Sequence, residues 1–332
     1  MERIRFIEDK YVPSLFKRIA KEELSRHFFP NERVAIKLHM GELGNDYYLK
    51  PDFVKIIVDI LKELGIEPFL FDSPVIYPGG RDTVEKYYKT AEKHGFNEDE
   101  LGCRIVISND SKLVKTENLC VEVCKPLIES DGLLVLSHVK GHMCSGFGGA
   151  IKNLGMGGVT IKTKRDIHQL ASPVFVDECS GCGSCVKLCP VGAIKLKNKK
   201  ANFDLENCWG CGVCIVGCPS NALKPRVASF DRLIAEGAYA VLKGIRKSYY
   251  VNVIKNITRL CDCAKDPGGI VLDDIGILLG RDIVAIEKAS FDLINKKAGK
   301  DIFKELHKKS PFEHIKEAER LGLGNLNYEL VV

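Results

Sequence analysis

The sequence holds one tryptophan, four methionines and a single glutamine, Gln169, in 332 residues. It has no apolar run approaching the ~20 residues that span a bilayer, so no membrane partner is expected. Its 49 basic and 44 acidic residues leave a net charge of only +5, and the basic residues are spread along the chain. Without a concentrated basic patch, nucleic acid is not an expected partner either. The opening segment MERIRFIEDKYVPSLF mixes charges and lacks the apolar stretch of a signal peptide, which leads us to expect a cytoplasmic protein. Scarce glutamine beside abundant Lys and Glu points toward a heat-adapted composition, and fifteen asparagines point the other way.

Cysteine, by contrast, is abundant: 14 residues, eight of them in two runs. Cys179, Cys182, Cys185 and Cys189 precede Pro190; Cys208, Cys211, Cys214 and Cys218 precede Pro219. Each run reads C-x2-C-x2-C-x3-C-P, the spacing of bacterial two-cluster ferredoxins. Three thiolates two residues apart wrap one 4Fe–4S cubane, and the fourth, before proline, ligates the other. Cluster I is therefore assigned to Cys179, Cys182, Cys185 and Cys218, and cluster II to Cys208, Cys211, Cys214 and Cys189. The runs are also an internal repeat: residues 179–195 and 208–224 agree at nine of seventeen positions, Gly181/Gly210 and Gly183/Gly212 among them. Those glycines are expected to let backbone N–H groups approach cluster sulfur. Paired C-x2-C motifs also build zinc knuckles, but three cysteines per run and the C-P ending favour the cubane. Thiols kept reduced indicate a reducing compartment.

On either side of the runs, apolar strands alternate with amphipathic helices. Segments 33–40, 67–73, 103–108 and 131–137 read as strands. Segments 50–64 and 82–95 read as helices stopped at Gly65 and Gly95. After the runs, 228–244 reads as a helix, 248–260 as a strand, 281–299 as a strand passing into a helix, and 326–332 as a last strand. The expected fold is α/β with a mostly parallel sheet and an inserted α+β ferredoxin-like module. Its divisions are 1–175 (α/β, first part), 176–225 (two-cluster module) and 226–332 (α/β, second part). One interrupted α/β domain is simpler than two flanking ones, because no Pro/Gly/Ser-rich linker adjoins 228–244.

A second chemical centre is expected in SHVKGHMCSGFGGAIKNLGMGG (137–158), where seven of 22 residues are glycine. A glycine-rich loop leaving a strand of an open α/β sheet is a common ligand site. His138, His142 and Lys152 are the candidate catalytic residues. Gly146, Gly148 and Gly149 are candidates to cradle a cofactor, with Arg81 to clamp an anion. No Walker, zincin or complete dinucleotide motif is present there. Cys261 and Cys263 form a C-D-C pair whose side chains, two apart on a strand, share one face while Asp262 points to the other. With Cys144 they could hold a further metal or cluster; the alternative is that they pack as small hydrophobes. Cys103, Cys120 and Cys124 lack ligand spacing and are expected to pack. His39, Glu42, Asp46, Asp72 and Tyr77 sit at strand ends that could border the same cleft. Asp274 and Asp282 could serve the site or cap a turn or helix.

KLHMGELGND (37–46), YPGGRDTVEKYYKTAEKHGF (77–96), residues 137–157 and CDCAKDPGGIVLDDIGILLGRDIVAIEKAS (261–290) together resemble the family named domain of unknown function 362. The resemblance covers nearly the whole chain and implies an α/β architecture, often with an inserted two-cluster ferredoxin, but no settled reaction. His142, Gly146, Gly148, Gly149 and Lys152 also resemble, in order, the histidine, glycine-rich stretch and lysine of nickel-pincer lactate racemases. That similarity implies a role for Lys152 in cofactor or substrate binding rather than racemisation, which needs no external electrons. The expected function is a cytosolic iron–sulfur oxidoreductase: two 4Fe–4S clusters relay electrons to a small-molecule substrate or second metal site, and a redox partner protein supplies them. The alternative is a non-catalytic electron carrier or a metal or cluster delivery protein.

Overall fold

The computed structural model describes residues 1–332, the side chains of Pro13 and Ser14 excepted. An eight-stranded sheet runs through the molecule in the order Tyr328–Val331, Glu2–Glu8, Gly276–Gly280, Ser248–Ile254, Gly132–His138, Arg33–Lys37, Glu67–Asp72, Arg104–Ile107. Gly276–Gly280 pairs antiparallel with both of its neighbours, and the remaining pairings are parallel. The sheet is thus mostly parallel, and it takes strands from both sides of the cysteine runs.

Both faces of the sheet are covered, and the central strand shows how. In Gly132–His138, Leu133 and Val135 enter one apolar cluster while Leu134 and Leu136 enter the other, as the two-residue period requires. Helices Val12–Ser25, Pro51–Glu63 and Val84–Lys93 cover one face; Ala150–Gly157, Phe230–Lys243 and Ile283–Ala298 cover the other. Local signals set their limits. Thr83 caps Val84–Lys93 through the Lys86 amide, and Asp282 caps Ile283–Ala298 through the Val284 and Ala285 amides, so Asp282 is a capping residue.

Several elements depart from expectation. The segment 248–260 is not one strand: it ends at Ile254, and Ile257–Thr258 pairs separately with Ile270–Leu272. The strand expected at the start of 281–299 lies earlier, at Gly276–Gly280, and the helix begins at Ile283. The N-terminal strand Glu2–Glu8 was not legible in a segment of mixed charge. The glycine-rich stretch is not an open loop. It folds into a hairpin, Lys140–His142 against Gly146–Gly148, and then into helix Ala150–Gly157.

Residues 173–225 leave and rejoin the α/β layers side by side, through antiparallel pairing of Pro173–Phe175 with Leu223–Pro225. Between them lie helices Ser184–Leu188 and Val213–Val216 and a hairpin, Ile194–Lys197 with Lys200–Phe203, around a small apolar cluster that includes Cys185 and Cys214. Among the described residues, no helix is long and apolar enough to cross a membrane.

Close helix packing depends on two glycines. A Cβ on Gly155 would lie 2.1 Å from the Ile234 carbonyl oxygen, and one on Gly237 would lie 2.6 Å from that of Gly155. Gly155→Ala or Gly237→Ala should therefore cost about 1–3 kcal/mol by forcing helices Ala150–Gly157 and Phe230–Lys243 apart. Urea unfolding checks this, and unchanged stability in both variants would contradict the packing.

Candidate functional site

The chain order of the sheet reverses between Arg33–Lys37 and Gly132–His138: strands 67–72 and 104–107 extend to one side, 248–254 to the other. In an open parallel sheet, ligands bind at the carboxyl ends of the strands beside such a reversal. A cavity of about 1060 Å³ opens there, lined by Lys37 at the end of strand Arg33–Lys37, His39 just beyond it, and Asp72 and Ser73 at the end of the neighbouring strand Glu67–Asp72. Lys152, Asn153 and Gly157 line it from helix Ala150–Gly157, and Lys164 from helix Ile161–Leu170.

Most of its charges are already engaged. Lys37, 1% exposed, pairs with Asp72 at 3.0 Å and donates to Asn153 Oδ1 at 2.7 Å. Tyr87 donates its hydroxyl to the other Asp72 oxygen. Lys164 donates to Ser73 Oγ at 2.7 Å, and burial pushes its ammonium down to about 7. Arg81, expected to clamp an anion, spends its Nε on Glu42 at 3.0 Å and one terminal nitrogen on the Tyr77 hydroxyl at 2.5 Å. Tyr77 in turn donates to the Cys263 carbonyl at 2.9 Å. Arg81 thus braces the cavity wall. Lys152 differs: its Nζ donates to Cys261 Sγ at 3.5 Å and Cys263 Sγ at 3.9 Å. Burial, with help from the charge of Arg81, pushes that ammonium down to about 8.

Cys261 and Cys263 lie in a turn, not on a strand as expected, and their sulfurs are joined as a disulfide. Asp262 nevertheless points away from them. Its carboxylate takes His138 Nδ1 at 2.9 Å and Lys140 Nζ at 2.7 Å. Burial works against its charge, but His138 and Lys140 hold the carboxyl below its ordinary value. His138 Nε2 meets the Lys255 carbonyl at 2.7 Å, so both ring nitrogens are committed and His138, proposed from sequence as catalytic, is a positioning residue. His142 does reach the cavity; its Nδ1 lies 2.8 Å from Ser145 Oγ. One His142 nitrogen and the sulfurs of Cys261 and Cys263 lie within 4.8 Å of one another. Cys144, expected beside these sulfurs, is not in that group: it is fully buried with its Sγ 3.5 Å from the Trp209 carbonyl.

The three glycines expected to cradle a cofactor serve packing instead. The helix amides that an anion would seek, Gly149 and Ala150, donate to the Glu287 carboxylate at 3.0 and 2.7 Å. A Cβ on Gly149 would collide with that carboxylate, one on Gly148 would press the Lys152 stem, and one on Gly146 would strike Pro311. Glu287 lies on helix Ile283–Ala298, more than 130 residues along the chain, and no local pattern could have announced it. Asp274 is likewise structural, accepting from the Asn256 amide at 2.6 Å.

The cysteine runs face each other across residues 176–225. Cys179, Cys182, Cys185 and Cys218 line one small cavity. The small cavity thus brings three cysteines of the first run together with the last of the second. Burial pushes the Cys214 thiol up to about 12, and neighbouring Cys211, Cys208, Cys189 and Cys185 push in the same direction. Gly183 and Gly212 turn through left-handed backbone, φ +76° and +77°, to start the two short helices. Gly181 and Gly210 fit under backbone carbonyls, those of Lys199 and His168. Cys208 and Trp209 also line the large cavity, and three contacts hold that edge in place. His168 Nδ1 and Cys144 Sγ meet the Trp209 carbonyl, and Lys309 donates to the carbonyls of Cys144 and Cys211 while paired with Asp231 at 2.6 Å.

An α/β body with a charged cavity at its strand ends, walled on one side by a docked cysteine-rich segment, defines the class. Residues 34–292 match the family described as Domain of unknown function (DUF362), and the chain belongs to it. No curated protein matches. Among solved structures, similarity extends to a Thermotoga maritima protein determined by a structural genomics consortium, at 11% identity and TM-score 0.48 over 86% of this chain. It extends also to the lactate racemase apoprotein from Thermoanaerobacterium thermosaccharolyticum, at 12% identity and TM-score 0.37 over 77%. The chain spans 59% and 51% of those two proteins' lengths.

The Asp262 network generates a test. Asp262→Ala leaves the Lys140 ammonium buried without its counter-charge, which should cost about 3–5 kcal/mol. Chemical denaturation measures it, and a loss below about 1 kcal/mol would contradict a structural role for the network.

Proposed function

We propose that the chain is an iron–sulfur oxidoreductase in which residues 176–225 hold two 4Fe–4S clusters and the α/β cavity holds the group that exchanges electrons with them. The observation that carries this reading is the shared cavity. Cys208 and Trp209 form part of its wall, and His142, Cys261 and Cys263 form another part. The donor sets fit the clusters. Four free thiols line one small cavity, and the charges of Cys211, Cys208 and Cys189, with that of Cys185, bear on the Cys214 thiol. Cys179, Cys182, Cys185 and Cys218 would hold one cluster, and Cys208, Cys211, Cys214 and Cys189 the other. When bound, such clusters supply one-electron transfer at potentials tuned by hydrogen bonds and burial.

The chain's own residues prepare the cavity for a small ligand. Arg81, Lys37 and Lys164 are held by Glu42, Asp72 and Ser73, so they line the walls at fixed positions. Lys152 adds a cation whose hydrogen-bond partners are the two sulfurs, and it can turn to an anionic ligand. A bare electron carrier needs no cavity of this size, which favours turnover over simple transport. The partner expected at the exposed side of the segment, where Cys182 reaches solvent, is a redox protein.

Anaerobic purification followed by iron and acid-labile sulfide analysis tests this reading. About eight irons and eight sulfides per chain are expected, with visible absorption that dithionite bleaches. Cys211→Ser should lose about half of the iron, because it removes a ligand of one cluster only. Stoichiometric zinc with no sulfide would overturn the proposal.

A further inference from the structure

His142, Cys261 and Cys263 form a donor group separate from the eight cysteines assigned to clusters. We propose that, once the bond between Cys261 and Cys263 is reduced, these three side chains bind one thiophilic divalent metal ion of the zinc type, with its fourth coordination position open to the cavity. The inference deepens the reading above by naming what the cavity holds, and it rests on that reading only for the electron-transfer role.

The donor chemistry comes first. Two thiolates and one imidazole are the ligands that soft and borderline divalent ions select, whereas calcium and magnesium demand oxygen. Three protein ligands with a vacant position describe a catalytic rather than a structural site. The spacing permits a single ion: bonds of about 2.0–2.3 Å to nitrogen and sulfur can be reached from three atoms that lie within 4.8 Å of one another. All three residues line the cavity, so the remaining position faces space that a ligand can enter.

The support around the donors is that of a built site. Ser145 engages His142 Nδ1 through both its Oγ, at 2.8 Å, and its backbone amide, at 3.2 Å, so Nε2 is the nitrogen left to face a metal, and Ser145 is itself fixed by donating to the Phe147 carbonyl at 2.7 Å. Behind the cysteines, His138 and Lys140 anchor Asp262 and so fix the turn that carries both sulfurs. Tyr77 holds the Cys263 carbonyl at 2.9 Å. Lys152, at 3.5 and 3.9 Å from the sulfurs, supplies a positive charge beside the group. It would pair with an anionic fourth ligand such as a carboxylate or other oxyanion.

Loading requires reduction. The disulfide takes up two electrons from an added phosphine, which is oxidised to the phosphine oxide by taking the oxygen of a water molecule, and the two protons of that water complete the two thiols. The ion then displaces both thiol protons to solvent. In the oxidised form the sulfurs bond to each other and the site is closed to metal, so binding is expected only after reduction.

The test uses the full chain, purified anaerobically, treated with a phosphine reductant, desalted and titrated with cobalt(II). One cobalt per chain is expected, with sulfur-to-cobalt charge-transfer absorption and tetrahedral ligand-field bands in the difference spectrum. His142→Ala should weaken binding at least tenfold, and Cys261→Ser with Cys263→Ser should abolish the signal, while iron content stays at its wild-type value in both. The single variant Cys263→Ser, with thermal unfolding measured alongside, guards against loss of fold. A cobalt signal that these variants leave unchanged, or full iron content with no sulfur–cobalt absorption after reduction, would overturn the site. Cobalt bound as expected in a chain without iron would instead defeat the cluster reading and leave this one standing.

Discussion

The turn that presents Cys261 and Cys263 is held from behind by a buried carboxylate, Asp262, whose partners are His138 and Lys140. His138 ends the central strand Gly132–His138, and Lys140 begins the hairpin that carries His142. One ion-pair network therefore ties together the sheet, the hairpin and the cysteine turn. It also explains why a polar cluster is tolerated so deep: Asp262 and Lys140 are paired, and His138 and Lys140 each reach a further backbone carbonyl, those of Lys255 and Tyr47. If Asp262 were lost, both the burial of Lys140 and the direction of the two sulfurs would go with it.

A second constraint sets where the cysteine-rich segment sits. The segment departs and returns through one antiparallel pair, so it is anchored at a single root. Its orientation is then fixed at the far contact, where Lys309 and Asp231 pair beneath the Cys144 and Cys211 carbonyls and His168 holds the Trp209 carbonyl. The run beginning at Cys208 is thereby turned toward the cavity, and Cys182 toward solvent. If the proposed clusters relay electrons, this arrangement would give them an exposed entrance and an interior exit.

Much of this was legible in the sequence because the signals were local. Helices 51–63 and 84–93 stop where Gly65 and Gly95 permit left-handed backbone, and the apolar run 132–138 is the doubly covered strand that its composition implies. What escaped was long-range. The glycine-rich stretch looked like an anion cradle, but Glu287 occupies its amides from a helix far along the chain. Cys144 looked like a metal ligand beside His142. Yet the hairpin pairs His142 with Gly146 and leaves Cys144 in its turn, where it lines the cavity with its Sγ against the Trp209 carbonyl instead of beside the two sulfurs. His138 and His142 were indistinguishable by type, and only the position of Asp262 separates the anchored histidine from the one at the cavity.

The most direct measurement is anomalous scattering at the iron edge from crystals of the full chain grown without oxygen. Two iron centres are expected, one enclosed by Cys179, Cys182, Cys185 and Cys218, the other by Cys208, Cys211, Cys214 and Cys189, with the second at the cavity wall beside Trp209. Density without iron at both positions, or zinc alone among the cysteines, would contradict an electron-transferring role.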